Sequence, residues 1–341
     1  MKYDLKSLSF EELVSLVADL NIEAYRAKQI SQWIFQKSAV EINDMTNISR
    51  QIRIRLGEIA FISSLEPEKI SISQDTTKKF LFRTTDGYGI ESVLIPERNH
   101  YTLCVSTQIG CPVRCRFCYT GRSGLARNLS VSEILNQISA VLKTEGLGEK
   151  LPNLVFMGMG EPLLNYENTV KSIRTLLSPW AFNFSHRKIT VSTAGIIPRM
   201  KQLGQDLPVN LAISLNAPND RIRNYLMPIN RKFPVKQLIE AAKHFPIPSR
   251  KRITFEYVLI KDVNDSPENA RELGKLLKNI PCKINLIPFN KHPSVSLKEP
   301  DRKKVIEFQS ILHSQNFTAP IRRSKGRDIC AACGQLGGSV R

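Results

Sequence analysis

The sequence predicts an α/β fold: a partial (βα)6 barrel with a small N-terminal helical domain and a strand-rich linker ahead of it. Two observations predict it. Beyond residue 101, short apolar runs alternate with helical stretches, which is the pattern of a parallel sheet. The polar residues gather at the ends of those runs, and parallel barrels keep their chemistry at the C-terminal ends of their strands. Periodicity alone does not separate such a barrel from a doubly wound sheet. The 341 residues suffice for one large domain and one small one. They divide into a helical domain over 1–65, a β-rich linker over 66–100 that carries Glu91, and a large α/β domain over 101–341.

The elements follow in order. Ser9 is a candidate N-cap for a helix opening at Phe10. From Tyr25 to Lys37, Ala27, Ile30, Trp33 and Ile34 fall on one helical face, and the other face is basic and amide-rich. A third helix is expected over Ile48–Ala60, bearing Arg50, Arg53 and Arg55. These three helices read either as a small core with solvated charge or, on the functional reading, as an RNA-docking module. Lys79–Thr84 and Gly89–Ile95 flank Asp86-Gly87 and read as a hairpin. Thr102–Ser106 is a further strand. Strand-like runs then recur at Asn153–Met157, Lys188–Val191, Val209–Ser214, Arg252–Leu259 and Lys283–Ile287. Between them lie helical stretches such as Ser132–Lys143, Asn168–Leu177, Val235–His244 and Pro267–Lys278. With Thr102–Ser106 this makes six barrel strands.

Composition is that of an ordinary globular protein, with 42% hydrophobic and 23% charged residues. Lys and Arg number 49 against 31 acidic residues, a net charge of +18, which predicts attraction to a polyanion such as nucleic acid. The N-terminus has no apolar core of a leader, and no run approaches eighteen apolar residues, so no membrane association and a cytoplasmic location are expected. The seven cysteines are an odd number in a long chain, which does not read as a disulfide framework.

Three of them, Cys111, Cys115 and Cys118, form C-x3-C-x2-C. Iron–sulfur cubes take four ligands; three thiolates leave one iron open to bind a small molecule and pass it an electron. A zinc site would need a distant fourth ligand, and zinc ribbons pair C-x2-C with C-x2-C. The strand ends carry Gly158-Met159-Gly160-Glu161, Ser192-Thr193, Ser214-Leu215-Asn216 and Asn290. Glycines admit a ligand close to the backbone, Glu161 suits an ammonium group, and Ser192, Ser214 and Asn290 suit a carboxylate and a ribose.

With the aromatic Phe117 before its last cysteine, the triad resembles the radical S-adenosylmethionine superfamily. Five segments narrow the resemblance: Cys104–Cys111, Arg127-Asn128-Leu129, Met157–Asn165, Leu226-Met227-Pro228-Ile229-Asn230 and Ala332-Cys333-Gly334-Gln335-Leu336. Together they are similar to the RlmN/Cfr family of RNA adenine methyltransferases, over nearly the whole chain. The resemblance implies one 4Fe–4S cluster on Cys111, Cys115 and Cys118, and two molecules of S-adenosylmethionine per turnover. It implies cofactor contacts from Gly160, Glu161, Ser192, Ser214, Leu215, Asn216 and Asn290. The implied substrates are an adenosine of 23S rRNA, met before or during ribosome assembly, and tRNA. The implied reductant is a low-potential donor such as flavodoxin or ferredoxin.

Adenine C2 is electron-poor and does not attack a sulfonium methyl, so the family's chemistry there is radical. As the resemblance implies it, Cys333 takes a methyl group from the first S-adenosylmethionine. The second yields a radical that removes hydrogen from that S-methyl, and the carbon radical adds to C2. Glu91 removes the C2 proton and Cys104 resolves the adduct as a disulfide. The basic run Arg322–Arg327 suits either of two tasks, lowering the pKa of Cys333 or binding RNA phosphates. Cys330 and Cys333 form C-x2-C, a competing redox or zinc pair. Three rivals remain from sequence: a C8-specific methyltransferase of the same family, a radical enzyme acting on a peptide or small molecule, and a zinc-stabilised RNA-binding module.

Overall fold

The computed structural model describes residues 2–148, 150–247 and 251–337. Its centre is one nine-stranded sheet whose strands lie in strict chain order. They are β1 (Pro67–Ile72), β2 (Lys78–Arg83), β3 (Gly89–Pro96), β4 (Tyr101–Cys104), β5 (Asn153–Phe156), β6 (Ile189–Thr193), β7 (Asn210–Ser214), β8 (Ile253–Leu259) and β9 (Cys282–Pro288). Strands β4 to β9 are parallel throughout, six in all. A doubly wound sheet reverses its strand order at a switch point. This one never does, so the wall is that of an open (βα)6 barrel.

Helices α5 (Val131–Thr144), α6 (Tyr166–Leu177), α7 (Ile197–Asp206), α9 (Val235–Lys243) and α10 (Pro267–Leu277) follow strands β4 to β8 in turn. Each buries an apolar stripe, such as Ile134, Leu135, Ile138 and Val141 on α5, against the sheet. α11 (Arg302–Ser314) packs beside α10. Beyond it, Thr318–Arg322 runs along the free edge of β9, where Ile284 N–H donates to Thr318 O at 2.9 Å and Arg322 N–H to Leu286 O at 2.8 Å.

The segment 66–100 is not a linker. β1, β2 and β3 are antiparallel, and β3 pairs with β4 from Val93↔Cys104 to Pro96↔Tyr101, so the barrel sheet continues straight into them. The hairpin of β2 and β3 was legible from Asp86-Gly87; β1 was not, nor was the pairing of β3 with the first barrel strand, which depends on a four-residue reversal at 97–100 with no distinctive sequence.

The N-terminal helices α1 (Phe10–Asp19), α2 (Tyr25–Phe35) and α3 (Arg50–Ile59) match the expected positions. Ser9 and Glu12 form a reciprocal capping box at the start of α1. Ala27, Ile30 and Ile34 are buried, while Trp33 is half-buried and donates its indole N–H to Asn47. These residues share one continuous apolar core with the barrel. Lys6 Nζ donates to Asn136 of α5 at 2.6 Å and Lys171 of α6 pairs with Glu12, so the helices are seated on the barrel's outer layer. Among the described residues no helix is long and apolar enough to cross a membrane.

Candidate active site

The cysteine loop springs from a two-stranded ribbon, Gln108–Gly110 against Leu125–Asn128. Gly110 has φ +77°, and a Cβ there would lie 1.8 Å from Gly124 O, so only glycine closes the stem. The loop ends in the short helix α4 (Tyr119–Arg122), with Cys118 as its N-cap. Arg116 N–H donates to Leu226 O at 2.9 Å, and His292, buried and flanked by Tyr119 and Phe289, contacts Phe117 O at 3.2 Å.

Cys111, Cys115 and Cys118 line a cavity at the C-terminal ends of the barrel strands. Burial pushes the Cys111 thiol up to about 12 and raises Cys115 and Cys118 as well, and the negative fields of the neighbouring thiolates add to the shift at Cys111 and Cys115. Such a site holds its charged form only with a strong cation in place. Among the described residues no three His, Cys, Asp or Glu side chains converge on one metal ion. The three thiols share the wall of one cavity.

Strand ends form the facing wall. Gly158, Gly160, Glu161, Ser192, Ser214, Asn216 and Asn290 all line the same cavity. Gly160, at φ +98°, lies against Gln108; a Cβ would come within 2.5 Å of its side chain. Gln108 Oε1 in turn accepts the Glu161 N–H at 2.8 Å. The Glu161 carboxylate accepts N–H groups from Ala194 at 2.7 Å and Leu163 at 3.1 Å, yet burial still pushes its pKa up to about 7. Asn290 donates to Cys333 O at 3.1 Å, while its Oδ1 is buried with no partner among the described residues, an acceptor left for a ligand donor. Two expected contacts stand apart. Leu215 is fully buried in the apolar core and does not line the cavity. Asn216 reaches the wall, but its side chain is spent on Val258 N–H and Met227 Sδ, holding a backbone at φ +59°.

The C-terminal segment closes the cavity. Tyr119 N–H donates to Gly334 O at 2.7 Å, Thr120 to Leu336 O at 2.7 Å, and Gln335 to Lys291 O at 2.8 Å. These bonds bring Cys333 to the cavity wall beside Cys118. Cys333 has an exposed surface, but its sulfur sits among enough protein that burial pushes the thiol up to about 11; Glu256 and Cys118 add to the rise and Arg322 opposes it. The first task of the basic run, lowering that pKa, is therefore overturned. Of that run only Arg322 acts on Cys333; Arg327 pairs with Glu299 at 2.6 Å, and Lys325 with Pro96 O and Glu97.

Cys104 is buried at the end of β4, in an apolar cluster with Val93, Met159, Ala331 and Leu336, and its thiol is raised first by burial and then by Cys333. Glu91 is 1% exposed on β3 and does not line the cavity. Its Oε2 accepts the Gly337 N–H at 2.6 Å and Lys79 Nζ lies 3.2 Å from Oε1. The base candidate thus sits directly beneath the segment that carries Cys333. Cys330 is exposed, with its carbonyl toward Lys79 Nζ at 3.3 Å.

Two residues escaped the sequence reading. Glu256 is a buried carboxyl on the cavity wall, raised by burial and oriented by Asn285 at 2.8 Å. Lys79 is the cation at Glu91. Each lies within a strand that was expected, but no local pattern singles it out there.

The chain is similar to known proteins over its whole length. Residues 105–274 match the model of the radical SAM superfamily, and residues 3–62 that of the ribosomal RNA large subunit methyltransferase N-terminal domain. It is 49% identical to the dual-specificity RNA methyltransferase RlmN of Syntrophus aciditrophicus (strain SB), over 99% of this chain and 97% of that one. It is 47% identical to the protein of that name from Geobacter sulfurreducens, over 99% of this chain and 92% of the other. A crystal structure of a radical SAM methyltransferase from Sphaerobacter thermophilus superposes with a TM-score of 0.92 at 41% identity, covering 98% of both chains.

Proposed function

The chain belongs to the RlmN family of radical SAM RNA methyltransferases, and from that premise we propose that it methylates C2 of an adenosine in 23S rRNA and in tRNA through a covalent protein–RNA intermediate. The observation that carries this reading is one cavity lined by Cys333, the Cys111–Cys115–Cys118 triad and the strand-end polar groups, with Cys104 close enough to feel the charge of Cys333.

The family's cofactors are a 4Fe–4S cluster and S-adenosylmethionine. The triad suits the first, and Glu161, Ser192, Ser214 and the unpartnered Asn290 Oδ1 suit the amino, carboxyl and ribose groups of the second. When bound, they supply a methyl group in one step and a hydrogen-abstracting radical in another. The chain's own residues do the rest. Cys333 loses its proton and attacks the sulfonium methyl, forming S–CH3 as the donor's C–S bond breaks. After the activated carbon joins C2, the adduct gives up its unpaired electron to the one-electron carrier that supplied the radical step and Glu91 takes the C2 proton, which leaves a closed-shell thioether between Cys333 and the base. Cys104 then attacks the sulfur of Cys333; the S–S bond forms, the C–S bond breaks with its electron pair on carbon, and that carbon takes up a proton to become the methyl group. Reduction of the disulfide by an external thiol restores the enzyme. The methyl carrier and the resolving thiol must be different cysteines, and Cys330, whose exposed backbone is held at Lys79, is assigned no step.

We further read the basic N-terminal helices as the RNA-docking surface and a low-potential flavodoxin or ferredoxin as the reductant, with action on rRNA before or during ribosome assembly and a cytoplasmic location. Mass spectrometry of nucleosides from 23S rRNA and tRNA incubated with reduced enzyme and S-adenosylmethionine tests the regiochemistry. 2-Methyladenosine is expected; 8-methyladenosine would move the chain to the C8 branch, and unmodified RNA would overturn the reading.

A further inference from the structure

Arg223 takes no part in the steps above, yet it is among the largest fully buried side chains of the molecule, at 0% exposure. It lies on the short helix α8 (Asp220–Leu226). All its hydrogen bonds go to neutral acceptors: Nε to Leu215 O at 3.1 Å, Nη1 to Asn230 Oδ1 at 3.0 Å, and Nη2 to Ala194 O at 2.6 Å and Ser214 O at 3.2 Å. Among the described residues no carboxylate stands within ion-pair distance of it. Burying a guanidinium without an anion is costly, and a protein that needed only four hydrogen bonds would lose little by using a neutral donor.

The last turn of α8 is where the cysteine loop is fastened: Arg116, next to Cys115, donates its N–H to Leu226 O at 2.9 Å, three residues beyond Arg223. Cys115 packs against the apolar cluster that contains Leu226, Met227 and Ala194, the last of which bonds Arg223 through its carbonyl. Arg223 also reaches the cavity wall itself: Ala194 and Ser214, whose carbonyls accept its Nη2, line the same cavity as Cys111, Cys115 and Cys118. The Leu226–Asn230 run thereby acquires a use: Leu226 anchors the loop and Asn230 aims the guanidinium.

We propose that Arg223 is the fixed counter-charge of the cysteine triad, a positioning residue that ties the cofactor-facing ends of β6 and β7 together and raises the reduction potential of the cluster that Cys115 helps to hold. Reduction adds an electron beside a buried cation in a low-dielectric interior, so the cation favours the reduced form. Arginine suits the task because its charge survives burial and its planar donors reach several carbonyls at once.

The inference rests on the assignment of the triad as cluster ligands, and iron content separates the two. Parent, R223M, R223Q and R223K proteins are purified anaerobically, assayed for iron and sulfide, and titrated with redox mediators while the reduced cluster is followed by electron paramagnetic resonance. In R223M and R223Q the reduced-to-oxidised ratio at a fixed potential falls about tenfold, equivalent to a shift of about 59 mV for one electron. R223K, which keeps the charge, stays near the parent. Should both neutral variants fail to fold, D220N decides. Asp220 is exposed and bonds Asn230 and Val235 N–H through Oδ1, an oxygen that asparagine retains. Losing its charge leaves Arg223 less offset, so the reduced-to-oxidised ratio rises about twofold. Retained iron with an unshifted midpoint in the neutral variants, or in D220N where it decides, overturns the proposal. A parent protein without iron overturns the cluster assignment instead.

Discussion

Cys104 and Cys333 reach the same site from opposite ends of the barrel sheet, and the assigned roles make their loss asymmetric. Cys333→Ala has no thiol to accept a methyl group and forms no RNA adduct. Cys104→Ala accepts the methyl group and attaches to RNA but does not release it, so protein cross-linked through Cys333 accumulates on denaturing gels. Cys330→Ala turns over within about twofold of the parent; the opposite pattern, with Cys330→Ala trapping RNA, would make the C-x2-C pair the redox couple. Glu161 adds a pH dependence. Its carboxyl is raised to about 7, chiefly by burial, and only the ionised form holds an ammonium group. Below that pH the group is neutral and S-adenosylmethionine binds weakly; affinity improves as pH rises through about 7 and then levels off. Calorimetry at pH values on either side, in buffers of different ionisation heat, should show a proton released on binding below about 7 that Glu161→Gln does not release. Ser192, Ser214 and Asn290 were legible because a small polar residue closing an apolar run is a local pattern. Glu256 and Lys79 were not, because what marks them is who faces them across the fold. The same blindness misjudged Cys333, where nearby basic residues in sequence count for less than burial and Glu256 in space.

The elements that hold the site are joined by backbone bonds that sequence does not display. The ribbon stem of the cysteine loop is one: the three cysteines were plain, but the antiparallel pairing of Gln108–Gly110 with Leu125–Asn128 was not, since each strand is only three or four residues long. Gly110→Ala tests its importance. At φ +77° with Gly124 O in the way, the substitution carries backbone strain of about 1–3 kcal/mol before the clash is counted. Iron content after anaerobic reconstitution should fall by more than half while circular dichroism keeps the helical signal. Cys115→Ala, which leaves the stem intact, should lose cluster assembly outright; stoichiometric iron in that variant would refute the ligand assignment. The long alternations from β4 to β9 were read correctly because their lengths and periods repeat. β2 and β3 were read as a hairpin but assigned to a linker, and β1 was not singled out, since a local pattern says nothing about which strand lies alongside.

For the whole molecule the dominant quantity is charge. With 49 basic against 31 acidic residues, RNA binding should weaken steeply with salt. If about 6 phosphates are neutralised, a plot of log affinity against log salt has a slope near −5, at about −0.9 per phosphate for a duplex and less for single strands. Filter binding across salt concentrations reads this directly, and a flat response would mean that the surplus serves solubility alone. The strict chain order of the sheet has a consequence for how the enzyme comes to exist. A nascent chain grows from its N-terminus, and here every new strand finds its partner already laid down as the previous edge. The cysteine loop and the strand ends are therefore complete before Thr318–Arg322 seals β9. Only afterwards does the tail swing back to dock Gly337 on Glu91, a contact spanning 246 positions of the chain. Cys333, assigned above as the methyl carrier, therefore joins the site after the cysteine loop and the strand ends, so on that assignment a partly synthesised molecule has no thiol in place to be methylated.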